Sequence, residues 1–346
     1  MLFSVFMKSF WQKITGKSKP FFCLAPMADV TDDPFRKIIA KYSRHGLPGQ
    51  GKTGGGPDVF WTEFVAADGL ASEKGRKNLL NDLKFSKTEK PIVAQIFGSH
   101  PENIETTCKL IAKLGFDGID INMGCPDRKV EKQGAGAAMI KTPVIAREVI
   151  RAAIKGAGKI PVSVKTRIGF NKIEYNEWLS EILKEDISAL TIHLRTRKEL
   201  SDVPAHWEIA KEIVDFVRAQ KPELILIGNG DVSSLEQGKQ LAKQSGFDGI
   251  MIGRGIFGNP WLFDSKKKIA PTTVEKLKAL LEHSKLFEKT MLHHKRFDVM
   301  KKHFKAYVSG FDGAKELRVK LMMTNNSKEV EKIIKSYLAG LPGDSF

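Results

Sequence analysis

Beginning at Phe21, the chain alternates two kinds of hydrophobic spacing. Short, nearly unbroken apolar runs occur at FFCLAPM (21–27), DVFWTEFV (58–65), PIVAQIFG (91–98), FDGIDINMG (116–124), PVSVKTRIG (161–169), ALTIHLRT (189–196), LILIGNGD (224–231) and FDGIMIGRG (247–255). Between them, segments such as DPFRKIIAKYSR, ENIETTCKLIAKLG, TPVIAREVIRAAIKGAG and SLEQGKQLAKQSG place apolar residues three and four positions apart. The first pattern belongs to strands buried on both faces and the second to amphipathic helices laid over them, which predicts a parallel sheet. Eight such units in about 235 residues match a closed (β/α)8 barrel, a TIM barrel of ~250 residues, better than an open doubly wound sheet. No G-x-G-x-x-G follows the first strand, which further weakens a dinucleotide-binding open sheet. FDGI occurs twice, at Phe116–Ile119 and Phe247–Ile250, as the echo of one βα unit rather than a tandem repeat.

After Asp264 the strand spacing stops. TTVEKLKALLEHSKLFEKTMLHHK, FDVMKKHFKAYVSG and KELRVKLMMTNNSKEVEKIIKSYLAG read as helices. The expected organisation is an α/β chain in three parts: an amphipathic N-terminal extension (1–20), a barrel (21–263) and a small all-helical C-terminal domain (264–346). The extension repeats apolar residues at Phe3, Phe6, Met7, Phe10 and Ile14 on a basic background without acids. An organelle presequence or a membrane-surface helix is one reading, and a helix capping the barrel is the other and the preferred one. No run approaches the ~20 apolar residues of a membrane span, so no membrane partner is expected.

Charge changes the picture more than composition does. A 42% hydrophobic fraction is that of a globular protein with a large core, but the formal charge of +16 is unusual for an enzyme of small neutral metabolites. Residues 264–346 carry 18 Lys and Arg against 10 Asp and Glu, half of the net charge, with His303, Phe304 and Tyr307 interleaved. That points to nucleic acid as partner. Cys23, Cys108 and Cys125 are too few and too scattered for a disulfide framework or a zinc site, so no metal and a reducing, cytoplasmic setting are expected.

One motif is misleading. Gly46, Gly51, Lys52 and Thr53 in GLPGQGKTGGG spell a nucleotide-phosphate loop. Such a loop runs from strand to helix, whereas this run leaves the helix DPFRKIIAKYSR and enters the strand DVFWTEFV. It falls at the amino end of the barrel, away from where barrels bind ligands, and Gly54–Gly56 followed by Pro57 prevent a helix from starting. A surface loop is expected there.

The productive positions are the strand carboxyl ends. They hold Pro26, Met27, Glu63, Gln95, Asn122, Cys125, Lys165, Arg167, His193, Arg195, Asn229, Asp231 and Arg254, a polar set on otherwise apolar strands. GNGD (228–231) and IGRG (252–255), after strands seven and eight, are suited to bringing backbone N–H groups against a phosphate. Cys125 follows a strand and precedes a proline, near Arg128, Lys129 and Lys132. No His–Asp pair accompanies it, so acid chemistry suits it better than a protease-like triad. Cys23 and Cys108, inside a strand and a helix, are expected to be buried and inert.

APMADVTDDPFR, VAQIFG, DINMGCPDRKV with GAGAAMI, VKTRIG, HLRTR, NGD and IGRG, in that order, resemble the tRNA-dihydrouridine synthase family. The likeness runs from about Phe21 to Pro260, and KKHFKAYVSGFDGAKELR (301–318) resembles the family's C-terminal helical domain. The resemblance implies an FMN-containing (β/α)8 barrel that reduces the C5=C6 bond of uridines in tRNA, with NADPH as reductant. It implies that Pro26, Met27 and Ala28 lie against the flavin and that Gln95 and Lys165 bond its ring system. His193, Asn229, Gly230, Asp231, Gly253 and Arg254 would hold the ribityl phosphate region. Cys125 would be the catalytic acid, with Asn122 and Arg167 near the uracil. Arg128, Lys129, Lys132, Arg195 and Arg197 are expected to contact RNA, and the protein is expected to be a monomer.

The chemistry fits those residue types. Hydride addition at C6 of a conjugated pyrimidine leaves an enolate that needs a proton at C5. A thiol of pKa ~8.5 is still protonated at neutral pH and can give it. Nearby cations would lower that pKa, so Arg128, Lys129 and Lys132 are expected to face RNA phosphates rather than the sulfur. Lys165 beside the flavin would stabilise its anionic reduced form, and the target base must leave its stack to reach it. Two features depart from the family pattern: Leu194 stands where glycine is usual, and GLPGQGKTGGG is longer and richer in glycine than the usual connection. The alternatives are a dihydroorotate dehydrogenase-like FMN barrel acting on a small pyrimidine, or an RNA-binding protein without catalysis.

Overall fold

The computed structural model describes residues 10–16, 20–43, 56–267 and 269–340. Eight strands follow the apolar runs: β1 (Phe21–Leu24), β2 (Phe60–Ala66), β3 (Ile92–Phe97), β4 (Gly118–Met123), β5 (Val162–Arg167), β6 (Ala189–His193), β7 (Ile225–Asn229) and β8 (Gly249–Ile252). All neighbours are parallel, and the order β1-β8-β7-β6-β5-β4-β3-β2 curls the sheet back on itself. Its two ends meet at a parallel bridge between Cys23 and Val59, where Leu24 N–H donates to Val59 O at 3.1 Å. Amphipathic helices cover the outside, as the expected TIM-barrel architecture requires.

Because successive strand side chains point to opposite faces, each strand feeds two cores. Outward residues such as Ile119, Ile121, Val164 and Leu190 pack under the helices. Inward residues form a second cluster of Phe21, Cys23, Trp61, Val93, Ala189, Ile227 and Met251. A helix, Phe10–Thr15, closes the amino end of this interior, with the Trp11 ring 5.9 Å from Phe21 and 6.0 Å from Trp61. That suits the capping reading for these residues; residues 1–9, like the loop segment 44–55 that holds Lys52, lie outside the described residues. Cys23 and Cys108 are fully buried free thiols.

Beyond the barrel, helices Thr273–Met291, Met300–Tyr307, Ala314–Met322 and Ser327–Ala339 surround a separate apolar cluster that includes Leu277, Phe287, Phe304, Leu321 and Ile334. The run expected as one stretch from Lys315 is broken at Thr324–Asn326, because the Asn326 side chain accepts the Glu329 N–H and caps a new helix. This cluster also takes in Trp261 and packs against Tyr42 of the barrel helix Asp33–Ser43. No helix among the described residues is long and apolar enough to cross a membrane.

Candidate functional site

The inward period of two continues into the strand ends, where apolar residues give way to polar ones. Register aligns them across the barrel: Asn122 lies beside Lys165, Arg167 beside His193, and His193 beside Asn229. Above them opens a cleft of about 610 Å3, lined by Pro26, Met27, Asn122, Cys125, Lys165, Arg167, His193, Arg195, Asn229, Gly230, Asp231, Gly253 and Arg254. Most of the residues singled out from the sequence are therefore brought to one wall-to-wall site. Ala28 is exposed and not part of the lining, Gln95 is buried behind Asn122, and Arg197 is engaged with Glu131. Arg128, Lys129 and Lys132 are exposed at the short helix Arg128–Glu131, immediately after the cysteine loop. Phe64, Leu200, Ser201 and Ser233 also line the cleft and carry no motif of their own.

Cys125 is held from both sides. Its N–H donates to Asn122 Oδ1 at 2.8 Å and its carbonyl accepts from Ala137 N at 2.9 Å. Gly136 makes this approach possible: its φ is +61°, and a Cβ there would sit 2.7 Å from Cys125 O. Arg167 ties the same loop from β5, donating to the carbonyls of Gly124 at 2.7 Å, Thr196 at 2.9 Å and Leu200 at 3.0 Å. Burial pushes the Cys125 thiol up; a hydrogen bond from the Asp127 backbone opposes this, the Asp127 charge adds to it, and Arg167 and Lys165 oppose it, with burial winning.

The opposite wall is cationic. Burial pulls the Lys165 ammonium down to about 8, helped by the Arg167 cation and opposed by Asp120 and Cys125. Its Nζ donates to Asn229 Oδ1 at 3.1 Å. Burial, followed by Lys165, Arg167, Arg195 and Arg254, holds His193 well below its usual value, so the ring is neutral. Arg195 Nη1 lies 3.2 Å from His193 Nε2, and since a guanidinium only donates, the ring proton belongs on Nδ1. Asp231 is held below the carboxylate range despite burial, by hydrogen bonds from Arg195 and the Ala205 N–H. It also binds Arg254 Nη2 at 2.7 Å. Asp231 itself adopts φ +51°, and Gly230 before it φ +135°, where a Cβ would meet Ala205 Cβ at 2.6 Å.

Lys165, Arg167, Arg195 and Arg254 against the single carboxylate Asp231 leave this end of the cleft short of negative charge. Positive-φ backbone at Gly230–Asp231 and the unobstructed Gly253 leave room for a phosphate, while Pro26 and Met27 offer an apolar face. The donor set therefore fits a flat ring system carrying a phosphate. Leu194, the departure noted beside His193, is fully buried in the outer core and does not enter the cleft. Among the described residues no group of His, Cys, Asp or Glu side chains is arranged to hold a metal ion.

A solved old yellow enzyme homologue from Zymomonas mobilis aligns at 13% identity and a TM-score of 0.46, covering 75% of this chain and 92% of that one, a likeness too loose to bear on function. Curated relatives are much nearer. A probable tRNA-dihydrouridine synthase of Staphylococcus aureus (strain COL) is 40% identical over 339 residues, covering 97% of this chain and 98% of its own. Probable tRNA-dihydrouridine synthase 2 of Bacillus subtilis (strain 168) is 41% identical over 340 residues, covering 96% and 99%. With the family model for dihydrouridine synthase (Dus) matching residues 23–339, nearly the whole described barrel and helical segment, the chain belongs to the dihydrouridine synthase family.

Proposed function

We propose that this chain reduces the C5=C6 bond of uridine in tRNA to 5,6-dihydrouridine, with FMN in the cleft, NADPH as reductant and Cys125 as the proton donor. The observation that carries this reading is the meeting, in one cleft, of the Cys125 thiol, raised by burial, with the side chains of Lys165, Arg167 and Arg254 and the glycine backbone at Gly230 and Gly253. Arg254, Gly230 and Gly253 would take the FMN phosphate, with Asp231 orienting the guanidinium; Pro26 and Met27 would face the ring system. Lys165 would sit against the ring, where an ammonium that titrates near neutrality stabilises negative charge and can exchange a proton. The bound flavin supplies the hydride that adds at C6.

The chain's own residues supply the rest. Asn122 and Arg167 would orient the uracil carbonyls, with Arg167 already fixed by three backbone acceptors. Cys125 Sγ gives its proton to C5, so that one hydride and one proton add across the double bond; solvent then reprotonates the thiolate. Phe64, edge-on to Phe97 at 5.7 Å, packs on the same Phe97, Val130 and Ala135 cluster as Cys125 and would give that side of the cleft an apolar surface. Arg128, Lys129 and Lys132, exposed just past the cysteine loop, and the basic helical region taken as a domain from residue 264 would face the RNA; Arg197, paired with Glu131, and Arg195, buried against Asp231, would meet it only through a base brought into the cleft. Residues 1–20 are taken as an N-terminal extension, of which the helix Phe10–Thr15 would cap the barrel taken as residues 21–263, and the enzyme would be a cytoplasmic monomer. The dihydroorotate dehydrogenase-like alternative gives way to the family match.

The test is dihydrouridine mapping in tRNA from cells with and without this chain. The expected result is loss of the base at defined positions, restored by the wild-type chain. An unchanged dihydrouridine map would sink the reading.

A further inference from the structure

Beneath the cleft floor, side chains of neighbouring strands are joined end to end, and the join has a direction. Ser163 Oγ donates to Asp120 Oδ1 at 2.5 Å, and Gln95 Nε2 donates to Asp120 Oδ2 at 2.6 Å. Asn122 Nδ2 donates to Gln95 Oε1 at 2.9 Å. Asn122 Oδ1 then accepts the N–H groups of Gly124 at 3.1 Å and Cys125 at 2.8 Å. Asp120 and Gln95 are fully buried and Asn122 nearly so, so water offers no substitute partners.

A primary amide has a donor end and an acceptor end, and a half-turn exchanges them with almost no change of shape. Neither amide selects an orientation by itself; the row is set by its two ends, the Gly124 and Cys125 N–H donors at one and Asp120 at the other. Burial raises the Asp120 carboxyl to about 6 while the Gln95 and Ser163 hydrogen bonds and the Lys165 charge hold it down, so above that pH it is ionised and only accepts. With Asp120 at the end of the row, Gln95 must turn its NH2 towards it and present Oε1 to Asn122. Asn122 must then turn its own NH2 back to Gln95 and present Oδ1 to the cysteine loop. The reversed row would set the Asn122 NH2 against two backbone donors, leaving buried donors unpaired.

We propose that Asp120 is a positioning residue for the proton donor: acting through Gln95 and Asn122, its carboxylate fixes the amide polarity that holds the Cys125 loop in place. This role rests on the reading of Cys125 as the acid, and it explains why an aspartate stands inside an otherwise apolar strand. Gln95 thereby gains a second duty besides any contact with a bound ring.

The test uses the flavin-loaded full chain and reads the loop directly, by amide hydrogen exchange of the segment containing Gly124 and Cys125. Asp120→Asn keeps the shape but can turn a donor towards Gln95, so the far end of the row no longer enforces the polarity that the Gly124 and Cys125 N–H groups need. Exchange of the loop should rise about tenfold, the worth of one hydrogen bond, and kcat for dihydrouridine should fall by about the same factor with KM for tRNA within about twofold. Ser163→Ala removes a hydrogen bond from Asp120 without touching the polarity, and should change loop exchange less than about twofold.

The double variant Asp120→Asn/Asn122→Asp moves the accept-only group one step along the row, where it faces the loop N–H groups directly and matches a turned Gln95. Its loop exchange should return to within about twofold of wild type, and its melting temperature should exceed that expected from adding the two single changes. A packing role for Asp120 would give no such recovery. Unchanged exchange in Asp120→Asn, or a double variant as loose as the sum of its parts, would overturn the role. A fully active Cys125→Ala with the exchange results intact would instead remove the acid and leave the polar row standing.

Discussion

Cys125 illustrates how a side chain's task is set by its surroundings more than by its type. The cations visible around it in the sequence, Arg128, Lys129 and Lys132, are exposed on the next helix, and the charges acting on the thiol are those of Asp127, Arg167 and Lys165. With burial dominant, the thiol is raised above its usual value. The sign follows: an acid must be protonated, so turnover limited by proton donation stays flat through the ordinary thiol range near ~8.5 and falls only at higher pH. Single-turnover oxidation of the pre-reduced enzyme by tRNA, measured against pH, checks this; a decline already centred near pH 7 would mean that the neighbouring cations win. Cys125 was legible because it stands at a strand end beside proline. Asp120 was not, since the alternation of a strand tells which face a residue takes but not which side chain of the next strand it meets. The Gln95–Asp120 register supplies that.

At the scale of elements, strands and barrel helices follow from hydrophobic period, because parallel strands buried twice and helices buried once leave different spacings. What the spacing could not give is how the helical segment meets the barrel. Lys295, just past helix Thr273–Met291, reaches back to Glu63 in the middle of β2, with its Nζ 2.8 Å from Glu63 Oε2 and 3.4 Å from Asp82 Oδ1. His294 binds Asp82 at 3.0 Å, and Lys302 binds Asp29 at 3.2 Å. Glu63 was expected among the site residues, yet it serves this junction. Its carboxylate is raised by burial and brought down by Lys295, so removing the lysine strands a buried acid. Lys295→Ala should cost roughly 3–5 kcal/mol, and Lys295→Arg much less. Urea unfolding of the two variants measures the difference; equal stability would show that the pair is not what joins the parts. The distances between these residues in sequence, more than 200 positions, explain why no local pattern announces the contact.

Across the whole molecule, the formal charge of +16 was the first sign of a polyanionic partner, and the family assignment now gives it a context. The phosphate loop spelled by GLPGQGKTGGG shows the opposite case, a motif whose spelling is right and whose strand–helix order is wrong; the proposed grip for phosphate is Gly230, Gly253 and Arg254, which line the cleft. If the rim of the cleft contacts RNA, replacing Arg128, Lys129 and Lys132 together with alanine should weaken tRNA binding. The slope of log affinity against log salt should shrink by about 2–3, with flavin content unchanged. Filter binding over a salt series reads this, and an unaltered slope would move the RNA elsewhere.

Whether the cleft brings the Cys125 thiol to a uridine is decided on tRNA that lacks dihydrouridine. The flavin-loaded chain, given NADPH, is incubated with such tRNA and the nucleosides are analysed by mass spectrometry. The wild-type chain is predicted to convert uridine to the nucleoside heavier by two hydrogens, and Cys125→Ala to retain flavin and bind tRNA while forming little of it. No dihydrouridine from the flavin-loaded wild type, or undiminished formation by Cys125→Ala, would contradict the account.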